Sequence, residues 1–158
     1  MYCFARWYAW YVRVSVFLDL LCSANNQFQF YSRHPKFCLS FYSFYTVGAE
    51  HLRDSEILIS ILEKQKAAGK LYAAICAAPA VVLASHGLLD DIEGATCYPA
   101  EPFRQKLVNP VDDAVAATGN VITSKGPGTS LAFALEVGEQ LFGKEIGDKI
   151  QKEMLIQR

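Results

Sequence analysis

The chain reads as an α/β layered protein, and three observations carry that reading. Residues 71–75 are an unbroken apolar or aromatic run without alternation, as expected of a central strand covered on both faces. An amphipathic stretch over residues 54–69 precedes this run and small or aliphatic residues over 77–85 follow it, so strands and helices alternate. Two further short runs, 114–118 and 121–124, flank Gly119-Asn120, a common hairpin pairing.

Taken in order, Asp54 is placed to cap a helix carrying Ile57, Leu58, Ile61 and Leu62 on one face, with Glu63, Lys64 and Lys66 outside and Gly69 closing it. The 71–75 strand then runs into Cys76 and a buried helix over 77–85, ended near Gly87. Gly94-Ala95-Thr96-Cys97-Tyr98-Pro99 reads as a short strand halted by proline, and residues 101–108 as a brief helix. The hairpin leads into Lys125-Gly126-Pro127-Gly128-Thr129. A helix then presents Leu131, Ala134, Leu135, Gly138, Leu141 and Phe142 on one face. Ile146, Ile150 and Met154 mark a last amphipathic helix after Gly143.

Cys76 is the residue on which chemistry converges. A cysteine delivered by a buried strand to a sharp turn, with a helix starting at once, sits where helix N-terminal amides favour the thiolate, so it is expected to be nucleophilic and oxidisable. Packed differently, the same thiol is a small hydrophobe at a strand end. Cys97, placed mid-strand, reads as structural. His51 and His86 fall near helix ends and read as solvated. Gly126-Pro127-Gly128 offers a flexible turn beside a rigid proline at a helix start, without the spacing of a nucleotide-binding loop.

Composition excludes several classes. The 158 residues are one domain by size, and 52% hydrophobic content is ample for a core. A net charge of −1 gives no footprint for nucleic acid or an anionic membrane. Five cysteines at irregular spacing, with no C-x-x-C pair, point to neither a disulfide framework nor a metal site, and no cofactor motif is present.

Residues 1–45 differ in kind from residues 46–158. They hold 15 of the 20 aromatic residues, but one lysine, Lys36, and one carboxylate, Asp19. Residues 7–24 raise a signal peptide or anchor, with Cys22-Ser23-Ala24 as a small-residue cleavage site. Arg13 and Asp19 interrupt the run, leaving no apolar stretch long enough to span a bilayer. The segment is a targeting region, an unusual extension, or translated non-coding sequence foreign to the domain. The corresponding compartment is the cytoplasm, or a plastid or other organelle if the segment is a targeting one.

Four motifs resemble the ThiJ/PfpI family of the class I glutamine amidotransferase-like superfamily, in its Parkinsonism-associated deglycase branch and especially that branch's plant members. They are Gly48-Ala49-Glu50-His51-Leu52-Arg53-Asp54-Ser55, Ala73-Ala74-Ile75-Cys76-Ala77-Ala78-Pro79-Ala80, Ala95-Thr96-Cys97-Tyr98-Pro99 and Thr123-Ser124-Lys125-Gly126-Pro127-Gly128-Thr129. The resemblance covers residues 48–155 and implies a flavodoxin-like three-layer α/β/α sandwich, incomplete at its N-terminal side. It implies cofactor-free glyoxalase or protein deglycase chemistry on methylglyoxal-type dicarbonyls or glycated protein, and a homodimer.

By the same resemblance Cys76 is the nucleophile, the amide of Ala77 an oxyanion donor, and Tyr98, Gly126 and Pro127 line the site. The chain departs from the family pattern in three ways. Where a Pro-Gly-Gly turn supplies the second oxyanion donor, it has Ser43, Phe44 and Tyr45. Where many relatives carry a histidine it has Tyr98, a poor proton shuttle at neutral pH. No residue matches the family's glutamate. The alternative to an enzyme is therefore a non-catalytic redox-responsive or chaperone-like member, or an inactive truncated fragment.

Overall fold

In a computed structural model of the protein, residues 39–43 and 46–156 are described, with side chains from residue 48 on. Four strands make one sheet: β1 (Leu39–Ser43), β2 (Tyr72–Cys76), β3 (Val115–Thr118) and β4 (Val121–Ser124), in the order β1-β2-β4-β3. β1 and β4 run parallel to β2, and β3 closes the hairpin antiparallel to β4. The helices are α1 (Thr46–Arg53), α2 (Glu56–Ala67), a single turn α3 (Glu101–Arg104), α4 (Ser130–Phe142) and α5 (Lys144–Glu153). An elbow helix after β2, Pro79–Leu83, is wound in the wide π form and tightens into a 3₁₀ turn at Ala84–His86.

All five residues of β2 are buried, because the strand is hydrogen-bonded along both edges and covered on both faces. Its side chains alternate between two cores. Tyr72 and Ala74 join Leu58, Leu62, Val81, Val82 and Leu83 beneath α2 and the elbow helix. Ala73 and Ile75 join Ile122, Phe133, Val137 and Leu141 beneath α4. Helices on both faces of a largely parallel sheet make this a flavodoxin-like α/β sandwich, as expected.

Hydrogen bonds fix the register of β2. The Tyr72 amide donates to Asn120 O at 3.0 Å, and the Asn120 side chain donates to Lys70 O at 3.0 Å, so the β3–β4 turn is tied to the start of the central strand. Gly119, at φ 61°, takes the left-handed position that this turn requires. On the other core the buried Tyr72 hydroxyl donates to Leu88 O at 2.8 Å, anchoring the chain after the elbow helix.

Several local expectations are corrected. The cap of α2 is Ser55, whose hydroxyl accepts from the Leu58 amide at 3.4 Å, while Asp54 pairs with Arg53 at 2.7 Å. The buried face of α2 is Leu58, Ile59, Leu62 and Gln65, with Ile57 exposed. Residues 94–99 form no strand; Ala95 makes one isolated bridge to Pro110, and the next amides go to the Thr123 hydroxyl and, at Tyr98, to Cys76 O. The helix expected over 101–108 lasts one turn. α4 buries Leu135, Gly138 and Leu141 of its expected face together with Phe133 and Val137, while Leu131 and Phe142 are exposed. The sheet also takes in Leu39–Ser43, ahead of the family-like part drawn at residue 46. The remaining expectations for residues 1–38 lie outside the described residues.

Replacing Tyr72 by Phe is expected to lower stability by about 1–2 kcal/mol in a urea melt, since Leu88 O loses its buried donor. Burial pushes the Tyr72 hydroxyl up from 10.0 to about 12, so its contribution is present below pH 10 and lost as pH rises toward 12. The Phe variant should show a shallower loss of stability across that alkaline window.

Candidate functional site

β1, β2 and β4 end on the same edge of the sheet, the carboxyl edge where open α/β sheets bind ligands. Cys76 is the last residue of β2, in register with Ser43 of β1, and its neighbour Ile75 is in register with Ser124 of β4. Its φ of 67° lies in the left-handed region, which a residue with a side chain occupies only when its surroundings hold it there. Parallel pairing fixes the strand up to Cys76, and the chain must then reverse into Ala77, Ala78 and the elbow helix. The strain falls on the residue between them.

The thiol is buried, with 7% of the residue exposed. Burial is the larger influence on its acidity and pushes the pKa above the ordinary 9.0; the Ala77 amide, hydrogen-bonded to the thiol, pulls it down by less. This corrects the expected thiolate-favouring site. The helix after the elbow is one π turn running into a 3₁₀ turn, too short and irregular to supply much of a dipole.

Tyr98 and Gly126 are brought to this edge, and Pro127 follows Gly126. The Tyr98 amide donates to Cys76 O at 2.8 Å, docking residues 96–98 beside the elbow. The Tyr98 side chain is 45% exposed and meets the Phe103 ring edge-on at 6.2 Å between centroids. A methyl group on Gly126 would lie 3.7 Å from the Tyr98 ring, so the turn passes beside that ring with room for a methyl between them. Gly126 is buried, and Pro127 is exposed at the start of the turn leading into α4.

Sequence reasoning missed the hydroxyls that hold this turn. The Thr129 hydroxyl bonds both the amide (3.1 Å) and the carbonyl (2.9 Å) of Gly126. Thr129 in turn meets the Ser124 hydroxyl at 2.6 Å. The signal was the two hydroxyl residues bracketing the glycine-proline turn. Thr123 plays a related part, its hydroxyl accepting from the buried Thr96 amide at 2.9 Å and docking the 96–98 segment on β4.

Cys97 is buried on the other core, its thiol meeting Tyr98 O at 3.4 Å, and burial raises its pKa to about 11. His51 and His86 are exposed, and His86 Nε2 lies 3.0 Å from Arg53 O. Ser43 ends β1 beside Cys76; Phe44 and Tyr45, the other positions of the expected second oxyanion donor, lie outside the described residues. Among the described residues no group of histidine, cysteine and carboxylate side chains is placed to hold a metal, and no helix is long and apolar enough to cross a membrane.

The fold and the strained cysteine define an α/β protein that presents a thiol on a strand-to-helix elbow. Comparison with known proteins specifies this further: the DJ-1/PfpI family model matches residues 46–140, and the chain belongs to that family. It is 43% identical over 109 residues to protein DJ-1 homolog B of Arabidopsis thaliana, a match covering 69% of this chain and 25% of that protein. It is 35% identical over 113 residues to the glutathione-independent glyoxalase DJR-1.2 of Caenorhabditis elegans, covering 69% of this chain and 58% of that one. The solved structure of oxidized Toxoplasma gondii DJ-1 superposes with a TM-score of 0.71 at 37% identity, over 77% of this chain and 65% of the other. The chain thus spans between a quarter and three fifths of these curated relatives' length.

A raised thiol pKa shifts the reactive thiolate to alkaline pH, its fraction growing about tenfold per pH unit below the pKa. Alkylation of the Cys76 peptide by iodoacetamide should therefore still be accelerating at pH 9.0. A plateau reached by neutral pH would show that the thiolate is favoured after all.

Proposed function

We propose that this chain is a cofactor-free, cysteine-dependent glyoxalase acting on small dicarbonyls of the methylglyoxal type, with Cys76 as the nucleophile. One observation carries the reading: Cys76 is held at φ 67° on the carboxyl edge of the sheet with the Ala77 amide on its sulfur. The Caenorhabditis elegans relative is named a glutathione-independent glyoxalase, which supports this reading.

The Cys76 thiolate adds to the aldehyde carbon, forming a carbon–sulfur bond as the carbonyl electron pair moves onto oxygen. The Ala77 amide, already directed at the sulfur, is placed to donate to that oxyanion, and protonation gives a hemithioacetal. The hydrogen of the former aldehyde carbon leaves as a proton, and a proton returns to the neighbouring carbon. The first carbon is thereby oxidised to a thioester as the second is reduced to an alcohol, with no external oxidant. Water cleaves the thioester, releasing lactate and restoring the thiol. The Tyr98 hydroxyl serves as a hydrogen-bond donor at the rim, and Gly126 and Pro127 line the site without a chemical task. Glycated protein side chains offer the same carbonyl chemistry as a second substrate class.

Because burial keeps the thiol protonated near neutrality, turnover should be slow at pH 7 and rise toward pH 9.0. The test is methylglyoxal consumption by the purified chain beside Cys76→Ser, with a thermal melt on the same samples. Lactate formation that disappears in the variant, with cooperative melts in both, is the expected result. Equal consumption by both proteins would remove Cys76 from the reaction. No turnover with cooperative melts would leave a non-catalytic, redox-responsive or chaperone-like protein.

A further inference from the structure

Among the described residues α5 is the helix that places no side chain in either core. It lies against α4, where Gly147 approaches the Glu139 side chain so closely that a Cβ would collide, and Gly147 is its only buried residue. Ile146, Ile150 and Met154 recur every fourth residue and so form one stripe along the helix, turned about 60° from Gly147 at Ile150. The fold leaves much of this stripe uncovered: Ile146 is 45% exposed and Met154 36%, with Ile150 half-buried. Lys149 and Glu153 border it on the side away from Gly147, joined at 4.0 Å and both exposed.

We propose that this face docks on the same face of a second copy of the chain, the two α5 helices lying antiparallel about a two-fold axis at Ile150. Charge complementarity selects this occupant. α5 carries three lysines and three carboxylates, so two copies meet without net repulsion. In a two-fold pair every contact occurs twice. Ile146 then meets the partner's Met154, Met154 meets the partner's Ile146, and Ile150 meets its own counterpart. In an antiparallel pair the same edge of each helix comes together, so Lys149 lies beside the partner's Glu153 and Glu153 beside the partner's Lys149. The offset is about 3 Å along the helices, within reach of two long side chains. Each charge thus exchanges a neighbour on its own helix for one on the other. A contact of one short helix per copy buries little area, so the association is weak and concentration-dependent. It is independent of the glyoxalase reading.

The experiment is sedimentation velocity of the full chain over a concentration series, with a thermal melt of each variant. The wild type should pass from monomer to dimer as concentration rises. Ile146→Glu, which buries two carboxylates per pair, should raise the dissociation constant about tenfold or more without lowering the melting temperature. Lys149→Glu and Glu153→Lys should each weaken the dimer about threefold, because each sets like charges together twice. Mixing these two variants should give a heterodimer as tight as the wild type, since opposite charges then face each other again. Lys152→Glu makes the same change of charge on the opposite face and should leave the dimer unaltered. Four results would overturn the proposal. The wild type stays monomeric at its highest soluble concentration; a dimer forms that Ile146→Glu leaves intact; the mixed variants associate no better than either alone; or Ile146→Glu lowers the melting temperature of a monomer, which would mean that the stripe is covered within its own chain.

Discussion

The organisation of this protein depends on the complete burial of one short strand. β2 has parallel partners along both edges, so its backbone groups are satisfied by β1 and β4. Its side chains divide between two cores, Tyr72 and Ala74 on one and Ala73 and Ile75 on the other. A strand held this tightly cannot relax where it ends. The change of direction between strand and elbow helix falls on Cys76, the residue with φ 67°, and the packing above and below Ile75 supports that conformation. The position of the thiol is therefore a property of the whole sandwich.

The ion pairs contribute at the margins. Lys66 reaches Asp91 at 2.6 Å and Gly87 O at 3.1 Å, joining α2 to the chain after the elbow helix. Asp112 gathers Lys125 at 2.7 Å and Arg104 at 3.6 Å. The carboxylates in both groups are largely exposed, and such pairs contribute little beyond fixing loops. Hydroxyl-to-backbone bonds in the interior do more to place the site: Thr123 on the Thr96 amide, and Ser124 and Thr129 around Gly126. Thr123 and Ser124 are buried and Thr129 partly so, and an unmade bond there costs more than a screened charge pair at the surface.

How far the sequence discloses this depends on how many partners shape each element. β2 was legible to within one residue because a strand covered on both faces shows no alternation, and the hairpin was legible because its turn requires a residue such as Gly119. The α4 face was legible only in part. Leu135, Gly138 and Leu141 of the expected stripe are buried, but Leu131 and Phe142 are as apolar as Phe133 and Val137, and only the packing around the helix buries the second pair. The α2 cap was misjudged because Asp54 and Ser55 are both good capping residues, and the Arg53 guanidinium engages the first. Residues 94–99 have strand composition, yet their backbone spends its bonds on Asn109, Val111 and the end of β2. At the site, the elbow cysteine was evident from its flanks, whereas the raised thiol pKa was not. That shift depends on how much protein lies over the sulfur, which a local motif does not encode.

Burial and strain make opposing demands on such a cysteine. Burial in the core that also holds Ile75, Ile122 and Phe133 largely removes Cys76 from water, where a hydrogen bond such as that from the Ala77 amide counts for more. The same burial disfavours the charged form of the thiol. A site of this kind gains reactivity when a substrate or a neighbouring group supplies charge stabilisation that the resting site lacks. Among the described residues the Ala77 amide is the one group shown to lower the thiol pKa, and desolvation exceeds it. The acidity of the Cys76 thiol is therefore set more by its burial than by the amide on its sulfur. A group that adds a donor or a positive charge at the ends of β1 and β4 would lower the thiol pKa, because both strands finish alongside the cysteine.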